Sequence, residues 1–155
     1  QDAEKDTELM NELKEKGVYE ITPEMKERLA DFRGGYATEA ETAEMIHDTY
    51  KKTGYVMDTH TAVAYKVYED YKAATGDDTP AVIASTASAY KFAESVANSI
   101  GIDGDMNGFE YIDAVNEKTG VRVPKGLKNL DKKEIRHKGV IETDDMMKVV
   151  EQSVK

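Results

Sequence analysis

Thr79–Gly101 reads TPAVIASTASAYKFAESVANSIG, and its change of character along that length sets the expected fold class. Pro80 opens it, Ala81–Ala84 is a short apolar run, and Ser85-Thr86-Ala87-Ser88 is a run of small and hydroxyl residues. An amphipathic helix then carries the chain to about Gly101. Ala81–Ala84 does not alternate with polar residues, so it reads as a strand covered on both faces, as in a parallel sheet flanked by helices. A strand that stops in hydroxyls just before a helix start is where open α/β sheets place ligands. The helix N-terminus there adds unpaired N–H groups and the positive end of its dipole. On these residues alone, Ser88 as a plain helix cap is the first reading. A hydroxyl that holds a ring nitrogen or an anion is the second.

Toward the N-terminus, Thr61–Ala74 reads as a long helix in which Ala62, Tyr65, Val67, Tyr68 and Tyr71 make a broad apolar surface. Asp58 or Thr59 is its natural N-cap and Gly76 its stop. Helix, tight turn and buried strand together form the αβ half of a parallel crossover unit. The expected class is therefore α/β and helix-rich, with few strands of its own and more sheet required than the chain supplies. Thr38-Glu39-Ala40-Glu41 is a capping box that opens a helix through Met45, Ile46 and Tyr50 to Lys52, ended by Gly54. Thr22-Pro23-Glu24 starts another, with Met25, Leu29 and Phe32 on one face and a stop at Gly34-Gly35. Residues 2–16 carry a narrow stripe of Leu9, Met10 and Leu13, closed by Gly17. Val18–Ile21 then reads as a short strand or an extended link.

Toward the C-terminus, Asp103, Asp105 and Asn107 with Gly108 match the start of an EF-hand loop. The twelfth position is Ala114, where a bidentate carboxylate is needed, so a helix-start turn is the preferred reading. A helix follows over about Asn107–Lys118, with Phe109, Ile112 and Val115 inward and Gly120 as its stop. Residues 121–142 read as irregular, with one helical turn near 126–130. Lys132, Lys133, Arg136, His137 and Lys138 form a basic cluster that reads as a solvated face. Thr143-Asp144-Asp145 caps a last helix bearing Met146, Met147, Val149, Val150 and Val154.

Composition narrows the function classes. A chain of 155 residues suits one domain or a sizeable piece of a larger protein. Its formal charge of −10, spread along the chain, repels phosphate backbones and argues against a nucleic-acid partner. No apolar run approaches a membrane span, so no membrane partner is expected. Cysteine is absent, which excludes disulfides and thiolate metal sites. These features suggest a soluble, cytoplasmic protein. The chain opens Gln1-Asp2-Ala3 inside a charged helical pattern, as an excised piece would.

Chemistry-bearing motifs are few. A Gly-rich phosphate loop, an HExxH pair and a nucleophile elbow are all missing. His60 near Asp58 reads as part of a helix start, because residues two apart do not face each other on a helix. His47 reads as a solvated helix residue, and Lys91, beside Tyr90 and Phe92, as a surface or supporting lysine.

Two stretches together resemble the threonine synthases. Thr53-Gly54-Tyr55-Val56-Met57-Asp58-Thr59-His60-Thr61-Ala62-Val63-Ala64 resembles their tGY-x-x-DPHTAVA segment. Some twenty residues on, Ser85-Thr86-Ala87-Ser88-Ala89-Tyr90-Lys91-Phe92 and the Ile83-Ala84 before it resemble LSTAHPAKF. The likeness extends over most of the chain, from about residue 1 to the end. It implies a pyridoxal-phosphate enzyme of the tryptophan-synthase-β fold type (fold type II) that converts O-phosphohomoserine and water to threonine and phosphate. The family's Schiff-base lysine and phosphate-cradling loop precede the matched region. The resemblance therefore implies a C-terminal part, inactive alone, whose partner is the missing N-terminal portion. It divides into a helical segment 1–57, a helix-strand-helix 58–101 with the cofactor-side turn, and C-terminal helices 102–155.

Carried across residue by residue, Thr86 matches the hydroxyl that meets the pyridine nitrogen of pyridoxal phosphate, and Ser85 is the secondary cofactor-binding candidate. A neutral hydroxyl there moderates the electron sink, which suits elimination and replacement chemistry. His60-Thr61 matches a motif that shapes or supports the site, and Lys91 matches the motif lysine rather than the cofactor-bound one. No catalytic residue and no metal ligand is assigned. Two motif prolines are replaced by Thr59 and Ala89, which loosens preset turns. Ser88 stands where the motif has histidine, so no role carries over to it. The alternatives are a stand-alone helical binding module and, more remotely, an EF-hand-like loop at 103–114.

Overall fold

Helix boundaries follow from local capping chemistry. In the computed structural model, which describes residues 2–154, the helices are α1 (Ala3–Lys16), α2 (Pro23–Arg28), α3 (Glu39–Thr53), α4 (Thr59–Thr75), α5 (Ala93–Ser99), α6 (Gly108–Thr119) and α7 (Met146–Ser153). Gln1 and Lys155, the two ends of the 1–155 assignment, lie outside the described residues. Side chains of Asp2, Thr22, Thr38, Asp58 and Asn107 accept hydrogen bonds from backbone N–H groups at the N-termini of α1, α2, α3, α4 and α6. Gly54 and Gly76 end α3 and α4 at φ 76° and 70°, a left-handed turn that a Cβ would strain. Gly17 and Gly120 do the same for α1 and α6.

The core lies where α3, α4, α5 and α6 meet. Ile46, Val96, Ala97, Ala62 and Val115 are wholly shielded from solvent, and Val56, Met57, Tyr90, Ile100, Tyr111 and Ile112 close around them. Helix α5 packs on both α3 and α6, and α3 also packs along α4. Four of the seven residues of α5 (Ala93, Ser95, Ala97 and Ser99) are small, so two neighbours approach its backbone closely. Burying each large aliphatic side chain contributes roughly 1.5–3 kcal/mol. Leu9 of α1 is also buried, but outside this cluster, beside a wide crevice shared with Met25 of α2. Every residue from 128 to 154 is exposed, α7 included.

The structure corrects several expectations. The helix-rich character holds, yet among the described residues there is no strand. Ala81–Ala84 is unpaired coil and Val82 is 99% exposed. The helix-strand-helix assigned to 58–101 is thus a helix, a coil and a short helix. A strand is held by its neighbours' ladder, and this chain offers none beside it. The segment after it opens as a 3₁₀ turn, Ala89–Phe92, and becomes α-helical only at Ala93. Helix α2 stops at Arg28, before Leu29 and Phe32 join its face, and both are exposed. Of the two readings of Val18–Ile21, the link is the one found, with no strand there. On α6 it is Tyr111 that points inward with Ile112 and Val115, whereas Phe109 is 36% exposed.

Candidate functional site

Asp58 is the pivot of the region that the resemblance singles out. Its side chain is fully buried at the start of α4. Oδ1 accepts the backbone N–H groups of His60, at 2.9 Å, and Thr61, at 3.3 Å. Oδ2 accepts the Thr61 hydroxyl through a very short hydrogen bond. A buried carboxylate is tolerated only when donors converge on it in this way. The Thr61 Oγ1 atom also lies 3.0 Å from the Ser85 Oγ atom. Thr61 has one hydroxyl proton and gives it to the carboxylate, so Ser85 must donate to Thr61. The result is a directed chain, Ser85 to Thr61 to Asp58, which joins the start of α4 to the coil 77–87.

That coil has little else to hold it. No backbone–backbone hydrogen bond among the described residues involves residues 77–87. Among the described residues, the Ser85 hydroxyl makes the one hydrogen bond from Pro80–Ala87 to another element. Thr86 is exposed and its hydroxyl bonds to no described group. The two hydroxyls that the motif places side by side are both exposed yet unequal: Ser85 is bonded to Thr61 and Thr86 bonds to no described group.

Other singled-out residues fall as follows. The His60 ring nitrogen is 3.6 Å from Asp58, beyond hydrogen-bonding distance, and the ring instead packs on Phe92 with centroids 5.0 Å apart. This agrees with a helix-start role rather than an acid–base pair. Lys91 is exposed, its ammonium 5.4 Å from the centre of the Phe92 ring. His47 is exposed and faces Asp48 at 3.1 Å. Ser88 caps the 3₁₀ turn by accepting the Tyr90 N–H at 3.3 Å. Tyr90, which stands where the motif has alanine, is buried and donates to the carbonyl of Val121. Burial pushes its phenol up from the usual range. Asn107 is engaged in a capping box with Glu110 rather than aimed at an ion, its Oδ1 accepting the Phe109 and Glu110 N–H groups. The basic residues 132–138 are exposed, as expected.

The residues offer Asp58 or Thr59 as the cap and give Thr61 no specific role; the structure selects Asp58 and adds the link to Ser85. The cap was visible in the spacing. The partner 24 residues away was not.

The family profile described as threonine synthase, C-terminal, matches residues 61–154. The chain belongs to the threonine synthase C-terminal family. The match opens at Thr61 and includes Ser85 and Thr86. Among curated proteins, the threonine synthase-like 1 proteins of Homo sapiens and Macaca fascicularis are 35% and 34% identical over 97 residues, 62% of this chain and 13% of theirs. The Mus musculus protein of the same name is 36% identical over 72 residues, 46% of this chain and 9% of its own. The chain thus spans a small fraction of the length of the relatives it matches. For the threonine synthase C-terminal family, the free Thr86 hydroxyl is the group in this chain whose chemistry fits a pyridine nitrogen. It is neutral and exposed, and it bonds to no described group, whereas the Asp58 oxygens already accept three donors. One such contact does not make a whole cofactor site, because the sequence lacks a Gly-rich loop for the phosphate.

Proposed function

We propose that this chain is the C-terminal part of a pyridoxal-phosphate enzyme of fold type II, and that the complete enzyme converts O-phosphohomoserine and water to threonine and phosphate. The observation that carries the reading is the inequality of the two hydroxyls within a segment matched by the family: Ser85 is tethered and Thr86 is left free. In this reading Thr86 donates to, or accepts from, the pyridine nitrogen of the cofactor. Bound pyridoxal phosphate would supply an electron sink for breaking bonds next to the substrate amine. A neutral Thr86 leaves that sink moderate, which favours elimination and water addition. Ser85 orients the turn from behind. The unpaired run Ala81–Ala84 becomes a strand when the N-terminal catalytic portion offers it a sheet edge, by strand addition. A cytoplasmic setting belongs to the same proposal, since a phosphorylated substrate does not cross membranes unaided. No helix among the described residues is long and apolar enough to span a membrane.

The test is reconstitution. The chain is combined with the N-terminal portion of a threonine synthase and assayed for phosphate release from O-phosphohomoserine. The expected result is turnover by the combination and none by the chain alone. Thr86→Val in the reconstituted enzyme is expected to lower turnover at least tenfold and to shift the absorption of the bound cofactor. Turnover by the chain alone, or a Thr86→Val enzyme with unchanged kinetics and spectrum, overturns the reading.

A further inference from the structure

We infer that Asp58 and Thr61 act together as a latch on the coil 80–87, and that they are positioning residues whose purpose is to present Thr86. The inference rests on the reading of Thr86 given above for its functional meaning, but the latch itself is a property of the folded chain.

Little else restrains the coil. Residues 80–87 lack backbone partners among the described residues, and Val82 projects fully into solvent. A segment of eight residues held at one hydroxyl moves freely unless that hydroxyl is bonded to something rigid. Thr61 is rigid for three reasons. It sits in the first turn of the 17-residue α4, it is buried, and its hydroxyl proton is fixed by a carboxylate with no freedom of its own. Asp58 in turn is locked by two backbone N–H groups of that helix turn. Orientation thus passes from the backbone of α4 through a carboxylate and a threonine hydroxyl to Ser85. With the Ser85 hydroxyl bonded to Thr61, its exposed neighbour Thr86 is left with a hydroxyl that bonds to no described group.

Direction matters as much as proximity. Because the carboxylate accepts the Thr61 proton, Thr61 presents lone pairs to Ser85 and Ser85 is compelled to be the donor. A serine that has given up its proton internally cannot donate to a ring nitrogen. The latch therefore also decides which of the two adjacent hydroxyls is available to a ligand. A cap alone needs Asp58 but has no use for a hydroxyl at position 61. Here that hydroxyl bridges two elements, which a capping role leaves unexplained.

The measurement is backbone ¹⁵N relaxation on the 155-residue chain, comparing residues 84–87 with the middle of α4. In the unmodified chain, order parameters at 84–87 are expected near the rigid range of about 0.85. Ser85→Ala and Thr61→Val are each expected to drop them below about 0.6, while values within α4 stay put. Thr61→Ser, which restores the hydroxyl, is expected to return them. Ser85→Ala removes one exposed oxygen and leaves the core untouched, so it reports even if Thr61→Val fails to fold. Unchanged order at 84–87 in Ser85→Ala overturns the latch, and so does failure of Thr61→Ser to retain order. The two readings fail separately. If the latch is present but Thr86→Val leaves the cofactor spectrum of the reconstituted enzyme unchanged, the cofactor reading falls and the latch stands.

Discussion

Asp58 shows how a single side chain can serve two structural ends. Its carboxylate caps α4 and, through Thr61, reaches the coil that carries Ser85. Removing a cap of this kind costs about 1–2 kcal/mol, and leaving the Thr61 hydroxyl without its acceptor adds to that. Asp58→Ala is therefore expected to lower the stability of the chain by roughly 2 kcal/mol. Asp58→Asn is expected to lose less, because the amide oxygen still accepts from the helix N-terminus. Urea denaturation followed by far-UV circular dichroism measures both. Equal losses for the two substitutions would show that the charge, not the acceptor geometry, is what α4 requires.

At the scale of the element, α3 is held by exposed carboxylates whose protonation matters. The Thr38 backbone N–H, then its hydroxyl, hold the Glu41 carboxyl below the usual range, with Lys66 adding attraction. Asp48 is held low by its hydrogen bond to His47 and then by Lys52. Both groups bind protons more weakly folded than unfolded. Their contribution is therefore present above an unfolded value of about 4.3 for Glu and 3.9 for Asp, and is lost as pH falls through the lower folded values. Tyr90 runs the other way. Its phenol is raised by burial, so its contribution is complete below about 10 and fades as pH rises through the folded value. Helical signal and denaturation midpoint are expected to decline on acidification below about pH 4.5. Glu41→Gln should flatten part of that acid limb. A variant whose acid limb matches the unmodified chain would show that the capping box, not its charge, is what α3 uses.

Across the whole molecule, stability is unevenly distributed. The buried cluster draws on residues from Ile46 to Val115, while residues 128–154 are exposed throughout and α1 and α2 contribute no residue to it. Segments with few buried contacts open at little cost, and proteases cut where opening is easy. Brief trypsin digestion is expected to cut first at Lys125, Lys128, Lys132, Lys133 and Lys138, and near Arg28 and Arg33. It should leave a resistant piece from about Gly34 to about Arg122, identified by intact mass. Digestion at equal rates inside α3–α6 would show that the cluster does not protect its own helices. The exposed apolar side chains of Met147, Val150 and Val154 on and just after α7 lie in the part expected to be lost.

Much of this molecule was legible one turn at a time. Thr38 with Glu41, the Thr22-Pro23 start, and the stops at Gly17, Gly54, Gly76 and Gly120 all reappear at their expected places. So does the use of Asn107 as a helix start. Caps and stops are agreements between residues three or four apart, and the order of residues states them in full. Ala81–Ala84 forms no strand here because an apolar run records a tendency to be covered but not whether a neighbour exists to cover it. Tyr111 replaced Phe109 in the core because rotation of α6 about its axis is chosen by its packing against α5, not by its own pattern. The same holds at the candidate site. The hydroxyl pair was visible as a pair, but only the approach of α4 to a coil 24 residues away made one hydroxyl captive and left the other free. Sequence by itself determined most of the helices and the ends that carry a capping side chain or a stop glycine, since those interactions are local. Tertiary structure decided which faces are buried and which hydroxyl can meet a ligand, since both depend on contacts between residues far apart in the chain.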